Sequence, residues 1–260
     1  MSLTYINSPI IPAFLATLFT YFVTALGAAS VFLFSDINRK VLDFMMSFAG
    51  GVMIAASFWS LLSPATELLL ELGRSPFIMT SVGFTGGGLF IIFSDVILKK
   101  VSAVSSASLH RSALLVSAVT LHNIPEGLAV GVAFGCASLG ISEATVASAI
   151  SLAVGIGLQN FPEGACVALP LRRDGMSSKK CFFIGQASGM VEPIAGILGA
   201  IAAITVREVL PFALSFSAGA MIAVVCSELI PESFKDSKII ATLGIILGFV
   251  TMMILDVALG

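Results

Sequence analysis

The chain has 260 residues, of which 57% are hydrophobic and only 11% charged, with a formal net charge of −2. A soluble domain carries about 25% charged residues, so this deficit points to an integral membrane protein and excludes a single large water-soluble core. A near-neutral balance without a basic stripe or interleaved aromatics excludes nucleic acid as a partner.

The N-terminal stretch "MSLTYINSPIIPAFLATLFTYFVTALGAAS" ends in small residues, as a signal peptide does. It lacks a positively charged start, and its apolar run of about twenty residues is too long for a cleaved leader. It therefore reads as a retained first span. A transmembrane helix needs roughly 20 apolar residues. That length gives eight spans, at about 10–34, 41–62, 77–98, 113–136, 144–170, 181–204, 209–231 and 239–258. The loops between them are short, and no linker marks off a soluble domain, so residues 1–260 read as one all-α transmembrane domain. The cysteines (Cys136, Cys166, Cys181 and Cys226) lie in or beside apolar segments without a C-x-x-C pair, and read as small buried hydrophobes.

Lysine and arginine set the orientation. The loops after spans one, three, five and seven hold 11 of the 13 basic residues; only Arg74 and Arg207 lie on the other side. This places both termini outside the cytoplasm, in a multi-pass protein of the plasma membrane. The chain also resembles itself. "FAGGVMIAASFWSLL" from Phe48 aligns with "FSAGAMIAVVCSELI" from Phe216, and "FSDVIL" around Asp95 with "ILDVAL" around Asp256. Span two thus pairs with seven, three with eight, and four with five, in opposite directions through the bilayer. This is a 3 + 2 + 3 inverted repeat, an organisation common in secondary transporters, whose sites lie at the repeat interface.

Two motifs carry the chemistry: "LHNIPEG" from Leu121 and "LQNFPEG" from Leu158. A proline within a helix removes one N–H and releases the carbonyl four residues earlier, here those of Leu121 and Leu158, so both helices are expected to break or bend. Gly127 and Gly164 then allow neighbouring helices to approach. His122 and Glu126 share a helical face with Asn123 beside them; Gln159, Asn160 and Glu163 repeat the pattern. Glu192 is a third acid, deep in span six and again followed by proline. Each intramembrane carboxylate costs about 2.5–3.5 kcal/mol on insertion scales, a penalty that a divalent cation removes. One imidazole with carboxylate and amide oxygens suits a first-row metal such as zinc. A lone N-x-P-E-G could be a kinked helix with one hydrogen-bonded acid; two copies on consecutive spans, with a further acid on the next, favour a site. Met53 alone reads as core packing. Asp95 and Asp256, at span ends, read equally as interfacial anchors or entrance ligands, and Glu228 as an acid on an exit path.

At these residues the chain resembles the ZIP (Zrt/Irt-like) family of divalent metal transporters, in its small prokaryotic-type form. The resemblance covers the whole chain and rests on the paired H-N-x-P-E-G and Q-N-x-P-E-G motifs. It implies a binuclear metal site. His122, Glu126, Gln159 and Glu163, with Met53 nearby, would form one position; Asn123, Glu126, Asn160, Glu163 and Glu192 would form the other. It also implies that Asp95 and Glu228 lie along the metal pathway. Asn160 departs from relatives that carry aspartate there, which predicts a weaker second position. The loop 99–111 has only His110 where relatives carry several histidines. The implied activity is transport of Zn²⁺, with Fe²⁺, Mn²⁺ and Cd²⁺ as further substrates, towards the cytoplasm. No cofactor is expected; the partners are the metal ion and the bilayer, with a homodimer as one assembly open to it. Spans one, four, five and six would move against two, three, seven and eight, with "VGFTGGGLF" and "GILGA" as sliding surfaces. An intramembrane zinc hydrolase would need more histidines than His110 and His122. A channel-like or proton-exchanging cation pathway is the remaining alternative.

Overall fold

In hydrocarbon, backbone N–H and C=O groups find partners only within their own segment, so apolar runs of this length become helices. A computed structural model of the protein describes residues 8–34, 38–102, 107–139, 145–173, 175–205 and 207–259, and every regular element among them is helical. The helices are α1 (Ile10–Phe32), α2 (Arg39–Glu71), α3 (Pro76–Ser102), α4 (Ala107–Ser138), α5 (Val146–Arg173), α6 (Ser178–Thr205), α7 (Leu210–Ser233) and α8 (Lys238–Leu259). The side chains of 101–119, 121 and 122 lie outside the described residues. Among the described residues, seven helices are long and apolar enough to cross a membrane: α1 to α3 and α5 to α8. The expected fourth span, 113–136, falls inside α4, a helix of 32 residues.

Two helices change winding partway. α2 is π-helical over Ser57–Leu62 and α7 over Val225–Leu229. In the alignment of Phe48 with Phe216, Ser57 falls on Val225, so the wide turns occupy matching places. Each is followed by a proline, Pro64 or Pro231, in the first turn of the next helical segment, where a missing N–H costs least. π-turns accommodate one extra residue and re-aim the side chains around them.

The closest packing joins α1 with α5, α4 with α6, α2 with α8, and α3 with α7. Glycines set the spacing in the last two pairs. Gly83 and Gly87 lie against the carbonyls of Phe212 and Phe216, while Gly244 and Gly248 lie against those of Phe44 and Phe48. The numbers advance together, so each pair runs parallel. In return, Gly219 meets the carbonyl of Phe84 and Gly51 that of Ile245. A shift of 168 residues carries Phe44, Phe48 and Gly51 onto Phe212, Phe216 and Gly219. A shift of 161 carries Gly83, Phe84 and Gly87 onto Gly244, Ile245 and Gly248, and Asp95 onto Asp256. One contact pattern is thus built twice. At one end of the group, Arg39 at the start of α2 pairs with buried Asp43 at 2.8 Å and with Glu232 of α7 at 2.7 Å. "GILGA" packs within the other group: Gly196 faces Thr17 of α1, and Gly199 faces the backbone of α4 at Leu128. These glycines make close contacts α3 to α7 and α6 to α1 and α4. Of the cysteines, Cys136 and Cys181 are buried and Cys166 half-buried, but Cys226 is exposed.

A candidate metal site between α4, α5 and α6

Both motifs lie in continuous helix: Pro125 is inside α4 and Pro162 inside α5. The expected interruption occurs instead in α6, at Met190, between Ser178–Gly189 and Val191–Thr205. Gly127 rests on the backbone of Glu192, 2.5 Å from a Cβ built at Gly127 to its carbonyl oxygen, and Gly164 rests on the carbonyl of Thr24. Neighbouring backbone thus lies directly against each motif, as small residues in membrane helices permit. In α6, Pro193 falls in the first turn after the break, where proline is tolerated.

These contacts bring the motif side chains into one buried volume. Asn123, Glu126, Gln159, Asn160 and Glu192 are each 0% exposed, and Glu163 is 6% exposed. His122 is on the same helix as Asn123 and Glu126, but its side chain lies outside the described residues. Met53 is fully buried in the apolar core of α2.

The amide nitrogens are all used. Asn123 Nδ2 donates to the Ser188 carbonyl at 2.9 Å, next to the break in α6. Gln159 Nε2 donates to Glu126 Oε1 at 2.5 Å, and Asn160 Nδ2 to both oxygens of Glu192 at 2.9 and 3.0 Å. The oxygens are another matter. Asn123 Oδ1, Glu126 Oε2, Gln159 Oε1, Asn160 Oδ1 and Glu163 Oε2 are buried without a hydrogen-bond partner among the described residues. Among the described residues of α4, α5 and α6 the one further oxygen of this kind is Ser151 Oγ. Buried polar atoms are rarely left unpaired, because each unmade bond costs about 1–3 kcal/mol. Each of the three amide nitrogens donates at least once, whereas the five unpaired motif atoms are all acceptors, a lining that suits a cation. Among the described residues, no three His, Cys, Asp or Glu side chains gather as a metal-holding cluster.

Glu192 is placed differently. It accepts from Asn160, from Thr20 Oγ1 and, at 3.4 Å, from Thr24 Oγ1, both on α1. Sequence reasoning missed these threonines, because threonine is common in membrane helices and bonds its own backbone there. Ser60 was also missed: it donates at 3.0 Å to both oxygens of buried Asp256, joining the π-turn of α2 to α8. Glu228 lies in the π-turn of α7, and Asp95 is half-buried in α3.

Comparison with known proteins agrees with this chemistry. Residues 100–256 match the family model described as ZIP Zinc transporter. The chain is 38% identical to zinc transporter ZIP11 of Homo sapiens, covering 98% of this chain and 99% of that protein. It is 36% identical to zinc transporter GufA of Myxococcus xanthus, covering 94% and 98%, and 30% identical to zinc transporter ZupT of Chlorobaculum parvum, covering 97% and 99%. With an acceptor-lined site between three apolar helices and similarity along nearly its whole length, the chain belongs to the ZIP zinc transporter family.

Proposed function

We propose that the protein carries divalent transition-metal ions, Zn²⁺ foremost and Fe²⁺, Mn²⁺ and Cd²⁺ as further substrates, across the plasma membrane towards the cytoplasm. The observation that carries this reading is the five unpaired acceptor oxygens of the two motifs. An ion leaving water needs its hydration shell replaced, and these oxygens supply replacements where no water-exposed route is needed. Glu126 and Glu163 provide charge; Gln159, Asn123 and Asn160 provide neutral oxygens. His122 contributes the one imidazole, which favours a borderline metal over sodium. Met53 is the proposed thioether neighbour, while Asp95, Glu228 and Asp256 are proposed polar steps along the way in and out.

Eight spans in a 3 + 2 + 3 inverted repeat support transport by alternating access. The duplicated glycine–carbonyl contacts and the matched π-turns favour that arrangement. The four close pairs also fall into two groups: α1, α4, α5 and α6 hold the polar site, and α2, α3, α7 and α8 surround it from the other side. Motion of the first group against the second would open the site to each face in turn. The direction and the outward-facing termini rest on the 11-to-2 bias of basic residues.

The test is uptake of Zn²⁺, Fe²⁺, Mn²⁺ and Cd²⁺ into proteoliposomes, comparing wild type with Glu126→Ala and Glu163→Ala. Wild type is expected to accumulate zinc, and each variant to lose at least about 100-fold of the rate, since about 2.7 kcal/mol corresponds to that factor. Unchanged zinc flux in both variants would sink the assignment.

A further inference from the structure

Glu192 differs from Glu126 and Glu163 in having both carboxylate oxygens engaged by the protein. Thr20 Oγ1 donates to Oε2, Thr24 Oγ1 lies 3.4 Å from Oε1, and Asn160 Nδ2 lies 2.9 and 3.0 Å from the two oxygens. Each hydroxyl has one proton to give. Each also has an acceptor on its own helix, Thr20 the Thr17 carbonyl at 2.9 Å and Thr24 the Thr20 carbonyl at 3.3 Å, so the carboxylate competes with backbone for both protons. Glu192 further occupies the first turn of the second half of α6, where free N–H groups favour negative charge. Helix α1 is held at this distance by small residues: Gly189 lies against Thr24, and Gly196 against Thr17. Hydroxyls from α1, an amide from α5 and a helix start in α6 together complete this carboxylate without a metal.

Asn160 stands between the two regimes. Its nitrogen is fixed, by Glu192 and by the Thr20 carbonyl at 3.2 Å. Its oxygen is buried and has no partner among the described residues. A planar amide with a fixed nitrogen has a fixed oxygen. We propose that Thr20, Thr24 and Glu192 form a positioning relay for the cargo ion, which rests on the metal-transport reading above. The threonines hold Glu192, Glu192 holds the nitrogen of Asn160, and Asn160 Oδ1 is thereby aimed at the ion together with Glu126, Gln159 and Glu163. Glu192 is a positioning residue and not a ligand. An aspartate at 160 would set two carboxylates face to face and require a second cation between them. Asparagine donates to Glu192 instead, so this chain holds one cargo ion at a time.

The experiment uses the intact protein, purified and reconstituted, with Zn²⁺ as the probe. Thr20→Val keeps the branched shape and removes the donor; Thr20→Ser keeps the donor. Equilibrium binding and uptake kinetics are measured for both, and zinc stoichiometry for wild type. Thr20→Val is expected to raise Kd and KM about tenfold, equivalent to about 1.4 kcal/mol, with Vmax within about twofold of wild type. Thr20→Ser is expected to stay within about twofold in every quantity. Thr24→Val, whose contact is longer, should raise Kd roughly threefold, and wild type should bind one zinc per chain. A general packing defect would lower Vmax and the amount of folded protein without rescue by serine. The relay is overturned if Thr20→Val leaves Kd and KM within twofold, if Thr20→Ser is equally impaired, or if wild type binds two zinc ions and Glu192→Gln binds one. Should Thr20→Val not fold, Thr24→Val and the wild-type stoichiometry decide the matter. Wild type that neither binds nor moves zinc overturns the transport reading as well; zinc transport with an indifferent Thr20→Val overturns the relay alone.

Discussion

The two groups of helices bury their polar atoms in opposite ways. In α2 and α7, serine hydroxyls turn back onto their own helix: Ser47 to the Phe44 carbonyl, Ser57 to Met53, Ser215 to Pro211 and Ser233 to Ile230. Between the helices of that group, glycine meets backbone carbonyl, and among the described residues of α2 and α8 only Ser60 reaches across to an acid, Asp256. In α1, α4, α5 and α6 hydroxyls such as Thr17 and Ser188 also turn back, to Ala13 and Gly185, but the motif amides and acids bond between helices, as in Gln159 to Glu126 and Asn160 to Glu192, and several oxygens are left over. One group is completed by its own packing. The other leaves buried acceptors that the proposed cargo ion would complete.

The largest effect that could break this contrast lies in "GGG" of α3. Gly87 lies directly on the Phe216 carbonyl, whereas an added Cβ at Gly88 would come no nearer than 3.7 Å to another helix, at the Gly219 carbonyl. Backbone cannot rotate away as a side chain can. Gly87→Val is therefore expected to cost at least about 3 kcal/mol, the upper end for overpacking, and to appear as loss of monodisperse protein in detergent. Gly88→Ala should be neutral or stabilising by up to about 1 kcal/mol from helix propensity. Equal behaviour of the two variants would mean that the α3–α7 contact does not carry the packing.

Sequence could announce that three glycines mattered here but not which one. The choice depends on which face of α3 meets α7, and in a helix apolar on every side no polar stripe marks that face. The same limit explains Thr20 and Thr24, whose roles depend on the neighbour opposite. The motifs were legible because two prolines, two glutamates and an amide pair recur at one spacing inside apolar runs, a pattern with few structural reasons to exist. The duplication was legible because Phe48 and Phe216 sit in matching contexts, and the contacts they make are the same. The prolines do not interrupt their helices: Pro125 and Pro162 lie in continuous α4 and α5, with backbone packed against Gly127 and Gly164. The break lies instead at Met190, in a segment whose one proline, Pro193, comes after it.

An intermediate effect sharpens the contrast from the polar side. Glu126 is fully buried, with Oε1 held by Gln159 and Oε2 unpaired. In Glu126→Gln the retained oxygen can still accept from Gln159, and the new –NH₂ faces a neighbourhood of acceptors. The metal-free variant is expected to be more stable than metal-free wild type by about 1–3 kcal/mol, the cost of a buried unpaired group, while losing zinc uptake. Thermal melting in chelator reads the first effect. Zinc at about 100 times Kd should then stabilise wild type by about 2.7 kcal/mol and the variant not at all. A variant that melts lower than wild type without metal would show that the carboxylate is already satisfied by the protein, against the comparison.

The smallest expected effect is at Ser215, buried in α7 with its hydroxyl on the Pro211 carbonyl at 2.7 Å. That carbonyl is four residues back in the same helix and already faces the Ser215 N–H, so removing the hydroxyl leaves no acceptor without a donor. Such back-bonding contributes little and can bend a helix slightly. Ser215→Ala is accordingly expected to melt within about 0.5 kcal/mol of wild type and to transport zinc at the same rate. The threonines of α1 also reach carbonyls of their own helix, yet each has in addition a carboxylate on a different helix within reach, and substituting Thr20 leaves that carboxylate short of a donor. If Ser215→Ala proved as damaging to zinc KM as Thr20→Val, hydroxyls in the two groups would be equivalent and the contrast between them would collapse. A flat response at Ser215 beside a tenfold change at Thr20 would locate ion binding in the helices whose polar atoms reach across to one another.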